Sequence, residues 1–186
     1  MWLVSHGCRD QTQLRLTSVP TTVWQTFADL LDPPENPYVH DPVGWVTGTL
    51  SEFWWSGQHR MAQSVVENRY SAFKASHDVS KSHTMSGLAL WWIDVHPPGE
   101  AFVVTTAPTT PQVEAILWRY MGNAHKKGGL PGRITLDAKW YIGNELVAYG
   151  RKPADHDPAA FQGIHARYVL VIIDEAGGAE VDLRCR

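Results

Sequence analysis

The chain predicts a three-layer α/β domain, with helices on both faces of a mainly parallel sheet. Three observations carry that expectation. Residues 70–92 read in succession as strand, loop and helix. Residues Tyr168 to Ile173 form a near-continuous run of β-branched and apolar side chains, as strands buried on both faces do. Between these segments, strand-like and helical patterns alternate, the order that builds a parallel sheet.

In chain order, residues 1–19 show no clear period and are expected to be a loosely ordered lead-in. Thr21 to Leu31 suits a short helix, with Val23, Phe27 and Leu30 on its inner side. The prolines from Pro33 to Pro42 forbid helix there, because proline lacks an N–H and restrains the residue before it. Residues 44–53 are expected to be irregular or a short edge strand. Ser56 to Asn68 reads as a helix with Met61, Val65 and Val66 inward.

Ala72 and Phe73 supply the next buried strand. After the loop, Met85, Leu88, Ala89 and Trp92 recur at helical spacing. Glu100 to Thr106 reads as a second buried strand, bracketed by Pro97-Pro98 and Pro108. Thr110 caps the following helix and Pro111 takes its first position, with Val113, Ile116, Leu117 and Tyr120 as the apolar face. Gly122 and then residues 125–129 end it. Arg133 to Ile142 and Glu145 to Gly150 read as two strands joined by the Gly143-Asn144 turn.

The candidate chemistry lies in the loop before the helix that carries Met85 to Trp92. The phosphate-loop consensus is Gly, four residues, Gly, Lys, then Ser or Thr. Aligned on Lys81-Ser82, the two glycine positions hold Ala75 and Ser80. Such a loop curls its backbone N–H groups around a phosphate, and the helix that follows presents its positive end to the anion. Ser76, His77, Asp78, Val79 and Ser80 would form the curl, Lys81 would reach the β and γ phosphates, and Ser82 would ligate Mg²⁺. On the residues alone, Ser82 is equally a helix cap. Asp174 and Glu175 stand at the carboxyl end of the Tyr168–Ile173 run, where open α/β sheets bind ligands. Asp174 suits Mg²⁺, and Glu175 suits orienting or deprotonating a water. The alternative is a strand followed by an acidic turn.

With both motifs in this order, the chain resembles the N-terminal ATPase region of the large terminase subunit of tailed phages. The residues that carry the resemblance are Trp55 to Gln58, Lys74 to Ser82, Thr105 to Thr109 with Gln112, Val113, Leu117 and Trp118, Phe161 to Ala166, and Val169 to Gly177. It spans residues 50–178. Residues 1–49 stand before it as a lead-in and 179–186 after it as an unmatched tail. Ser80 departs from the family, which has glycine there.

The resemblance implies a P-loop NTPase fold of RecA-like type, incomplete at its C-terminus, with a truncated or frameshifted chain and no nuclease domain. It implies ATP and Mg²⁺ as cofactors and hydrolysis that drives DNA packaging. Double-stranded DNA, the portal, the small terminase subunit and further copies of the chain are the implied partners. The cytoplasm of the bacterial host is the implied location. Gln58 would grip the adenine edge, since an amide offers both donor and acceptor; otherwise it is a surface residue. Lys74 would stabilise transition-state charge, or is a simple surface charge. The Thr105-Thr106 turn would lie near DNA or the nucleotide. A non-hydrolysing nucleotide-binding fragment and a helicase-type ATPase are the alternatives.

Composition sets limits. The 186 residues are enough for a real core, and the net charge of −3 gives no global field to hold DNA. Lys126, Lys127, Arg133, Lys139, Arg151 and Lys152 make the middle of the chain locally basic, either as a DNA-facing surface or a solvated one. Cys8 and Cys185 have no metal spacing and do not argue for a disulfide scaffold. The N-terminal residues are too short and too soon polar for a signal peptide. No apolar run approaches the length of a membrane span.

Overall fold

A computed structural model describes residues 2–6, 36–74, 80–107, 109, 116–151 and 166–174. Seven strands form one sheet: β1 (Trp2–His6), β2 (Tyr70–Ala72), β3 (Ala101–Thr106), β4 (Arg133–Thr135), β5 (Lys139–Ile142), β6 (Glu145–Gly150) and β7 (Tyr168–Ile173). Their order across the sheet is β2-β1-β7-β3-β6-β5-β4. Four helices are described: α1 (Pro42–Leu50), α2 (Ser56–Glu67), α3 (Lys81–Val95) and α4 (Trp118–Gly128). The architecture is α/β, as expected.

The expectation of a mainly parallel sheet is corrected. Among the described strands, only β3 has parallel pairings, with β7 on one side and β6 on the other. The β1–β2, β1–β7, β4–β5 and β5–β6 pairings are antiparallel. Two local features produce this. The two-residue Gly143-Asn144 turn, with Gly143 at φ 60°, sets Ile142 opposite Glu145 and makes a hairpin. The expected long strand from Arg133 is broken by a turn through Ala138, itself at φ 54°, which creates a second hairpin. Short connections of this kind join antiparallel neighbours, whereas parallel neighbours need a crossover.

The third feature is β1. Residues 2–6 were expected to be loosely ordered, yet they form a strand between β2 and β7, with Trp2 opposite both Ala72 and Ile173. Because β1 is antiparallel to both, β2 runs in the same direction as β7, β3 and β6. The carboxyl ends of these four strands therefore lie along one rim.

Residues 42–50 are helical rather than irregular. Asp41 caps α1 by accepting the N–H of Gly44 at 2.8 Å, and Pro42 takes the first turn, where its missing N–H costs nothing. Trp45, Val46 and Leu50 are buried by it. Helix α2 matches its expected bounds closely, with Met61 and Val65 buried.

Helix α3 is the centre of the core. All residues from Thr84 to Ile93 are buried, so the expected apolar stripe is part of a helix covered nearly all round. It contacts α1, α2 and α4 as well as β3 and β7. His96 ends it in extended backbone, as a residue before Pro97 must. Indole donors tie the layers together. Trp45 Nε1 donates to Asp94 at 2.8 Å, Trp91 Nε1 to the Tyr38 carbonyl at 2.7 Å, and Trp118 Nε1 to Thr105 Oγ1 at 2.8 Å.

Helix α4 is rotated from its expected face. Leu117, Trp118, Met121, Ala124 and His125 are buried, whereas Ile116 and Tyr120 are exposed. Burying the large Trp118 ring, with its donor satisfied by Thr105, outweighs covering Ile116 and Tyr120. Gly122 does not interrupt the helix, which ends at Gly129 in the left-handed conformation. The helix expected over residues 21–31 lies outside the described residues, as do positions 110–115 of the helix expected from Thr110.

Candidate nucleotide site

The rim formed by the carboxyl ends of β2, β3, β6 and β7 brings the two predicted motifs together. Asp174 follows β7 directly, and its N–H continues the parallel ladder by donating to the Thr106 carbonyl at 2.8 Å. Its residue surface is only 8% exposed, among the few buried charged groups described. Ser82 stands in the first turn of α3. Its hydroxyl donates to Asp174 Oδ2 at 3.1 Å, across 92 positions of sequence. A hydroxyl and a carboxylate held side by side are the oxygen donors that Mg²⁺ takes from a protein, so this pair fits the metal. Lys81 precedes Ser82 at the helix start and is half-buried.

Ser80 caps α3 with φ 58° and ψ 29°, the left-handed region. The departure from glycine thus falls where glycine has a conformational reason to be. A residue with a Cβ pays about 1–2 kcal/mol to sit there. Ser76, His77, Asp78, Val79 and Glu175 lie outside the described residues. Lys74 is exposed, two residues beyond β2.

Gln58 is not a surface residue. It is 4% exposed, and its amide is engaged at both ends. Its Oε1 accepts the Trp55 N–H at 3.1 Å, half of a capping box at the start of α2, and its Nε2 donates to Thr84 Oγ1 at 2.9 Å. Thr84 was not singled out from sequence. The available signal was its position four residues after Ser80, from which a threonine hydroxyl reaches back to a carbonyl. It donates to the Ser80 carbonyl at 2.9 Å.

The connection between α1 and α2 also touches α3. Glu52 lies 3.0 Å from His83 Nε2 and 2.9 Å from Lys127 Nζ, and the His83 ring meets Tyr120 edge-on at 5.8 Å. This cluster joins the loop before α2, the first turn of α3 and the end of α4. It was also missed, because its members are distant in sequence.

Thr105 and Thr106 end β3 on the same rim. Thr105 is used by Trp118, and Thr106 Oγ1 is buried with no hydrogen-bond partner among the described residues. Of the basic residues in the middle of the chain, Lys127 pairs with Glu52, Lys139 with Asp137, and Arg133 lies over the Tyr141 ring. Lys152 lies outside the described residues.

No family model, curated protein or solved structure matches the chain. Among the described residues, no helix is long and apolar enough to cross a membrane.

Proposed function

We propose that the chain is the ATPase region of a phage terminase large subunit, with a P-loop NTPase arrangement that hydrolyses ATP to drive DNA packaging. The observation that carries the reading is the 3.1 Å bond between Ser82 and Asp174 at the shared rim of the parallel strands. Two motifs read separately in the sequence meet there with the residue types that phosphoryl transfer uses. The left-handed Ser80, at a position where the loop consensus has glycine, adds independent support.

In this reading, Lys81 holds the β and γ phosphates at the start of α3, whose positive end faces the same anion. Ser82 and Asp174 would hold Mg²⁺, which would supply positive charge against the negative charge developing on the phosphates. Glu175 orients and deprotonates the attacking water. Lys74 lies before the loop, where a cation can stabilise transition-state charge. Double-stranded DNA, the portal, the small terminase subunit and further copies of the chain are the proposed partners, and the bacterial cytoplasm the proposed location.

A second reading, nucleotide binding without hydrolysis, is favoured by Ser80. Its Cβ and its strained backbone both stand where a phosphate approaches closely.

The test is ATP titration with and without Mg²⁺, followed by phosphate release with and without duplex DNA. Mg²⁺-dependent binding that disappears in a folded Lys81→Ala variant is expected. Unchanged affinity in that variant would falsify the phosphate-loop reading. Binding without phosphate release would select the second reading.

A further inference from the structure

The hydrogen bonds around Gln58 form a continuous line that ends on the strained residue of the loop. The Trp55 N–H donates to Gln58 Oε1, Gln58 Nε2 donates to Thr84 Oγ1, and Thr84 Oγ1 donates to the Ser80 carbonyl. The distances are 3.1, 2.9 and 2.9 Å. Gln58 and Thr84 are 4% and 0% exposed, so the bond between them, at the middle of the line, is shielded from water. Ser80, at the end of the line, holds a backbone conformation that a residue with a Cβ rarely adopts.

From this we infer that Gln58 and Thr84 are positioning residues for the phosphate loop, holding the Ser80 carbonyl and hence the Ser80–Lys81 peptide in the left-handed turn. The inference rests on the nucleotide-site reading and revises the expected role of Gln58. An amide that reads adenine must turn its donor and acceptor toward the base. Here one donor and one acceptor of that amide are already committed inside the protein. A threonine hydroxyl has one proton to give, and Thr84 gives it to Ser80 while accepting from Gln58. Gln58 therefore fixes which way that hydroxyl points. Strained backbone persists only where its surroundings over-determine it, and this line supplies that determination from α2.

The two roles predict different selectivity. A base-reading Gln58 affects adenine nucleotides alone, whereas a positioning Gln58 affects whatever phosphate chain the loop holds. Binding of ATP, GTP and inorganic tripolyphosphate, each with Mg²⁺, is measured calorimetrically for the parent chain, Gln58→Met and Thr84→Val. Each variant is repeated with Ser80→Gly. The expected result is a loss of about fivefold, or about 1 kcal/mol at about 1.4 kcal/mol per tenfold, that is equal for all three ligands. Ser80→Gly should recover most of it, since glycine holds the left-handed turn unaided. A loss confined to ATP, or a Thr84→Val variant that binds all three like the parent, overturns the inference. If the parent binds none of the three, the nucleotide reading is what fails, and the line is judged from urea unfolding instead. A Thr84→Val cost that falls by half or more in the Ser80→Gly background upholds it, and equal costs in both backgrounds overturn it.

Discussion

Ser80 and Asp174 carry the sharpest consequences at the scale of single residues. In the left-handed region a Cβ costs about 1–2 kcal/mol, and glycine returns about 0.5–1 kcal/mol of that through its freer unfolded chain. Ser80→Gly is therefore expected to stabilise the fold by about 0.5–1 kcal/mol, seen as a higher urea midpoint at unchanged slope. A lower midpoint would mean that the serine contributes something its backbone angles do not reveal. Asp174 and Glu175 were assigned different tasks, so their losses should differ. Asp174→Ala should weaken Mg²⁺-dependent ATP binding, because it removes the carboxylate beside Ser82. Glu175→Gln should leave ATP bound and stop its cleavage, which a filter-binding assay run beside a phosphate-release assay separates. If the two variants behave alike, the division of labour between them is wrong.

At the scale of elements, the capped start of α1 lends itself to measurement. Asp41→Ala removes the side-chain acceptor for the Gly44 N–H and is expected to cost about 0.5–2 kcal/mol, whereas Asp41→Asn should cost far less. Similar midpoints for the two variants in thermal unfolding would show that the cap is not what starts the helix. This helix was missed in the sequence because Asp41-Pro42 ends a run of prolines and was read with them. Yet an acidic cap followed by proline is a helix start as readily as the end of a loop. Strand β7 and helix α3 were readable because each is a dense apolar run, which needs no partner to be recognised, although Val169 and Val171 of β7 are only partly buried. Strand β1 was not, since five residues without a period become a strand only through β2 and β7, and nothing local names those partners. The break between β4 and β5 was hidden for a related reason: Ala138 takes a left-handed turn that its residue type does not announce. Of the site, the Ser82–Asp174 pair was foreseen from motifs. Thr84 and Glu52 were not, because their roles depend on which helices lie side by side.

For the molecule as a whole, the two halves of the candidate site share a rim but not a hydrogen-bonded ladder. The loop follows β2, Asp174 follows β7, and β1 lies between these strands. A chain lacking residues 2–6 should lose about 3 kcal/mol or more, since several ladder bonds at about 0.5–1.5 kcal/mol each disappear. Mg²⁺-dependent ATP binding should be lost with them. Full affinity in the shortened chain would show that α3 alone keeps Ser82 and Asp174 together. Strand β1 also governs when the site comes into being. It precedes both of its partners in the chain, yet its longer pairing is with β7, where Trp2 stands opposite Ile173. Until then it has only β2, and a two-stranded pair alone is marginal in water. On a ribosome, the loop and its helix would emerge and wait until β7 had been made. Closing so large a span is slow. Nucleotide capture would thus wait on the arrival of β7 beside β1 rather than on the emergence of the loop itself.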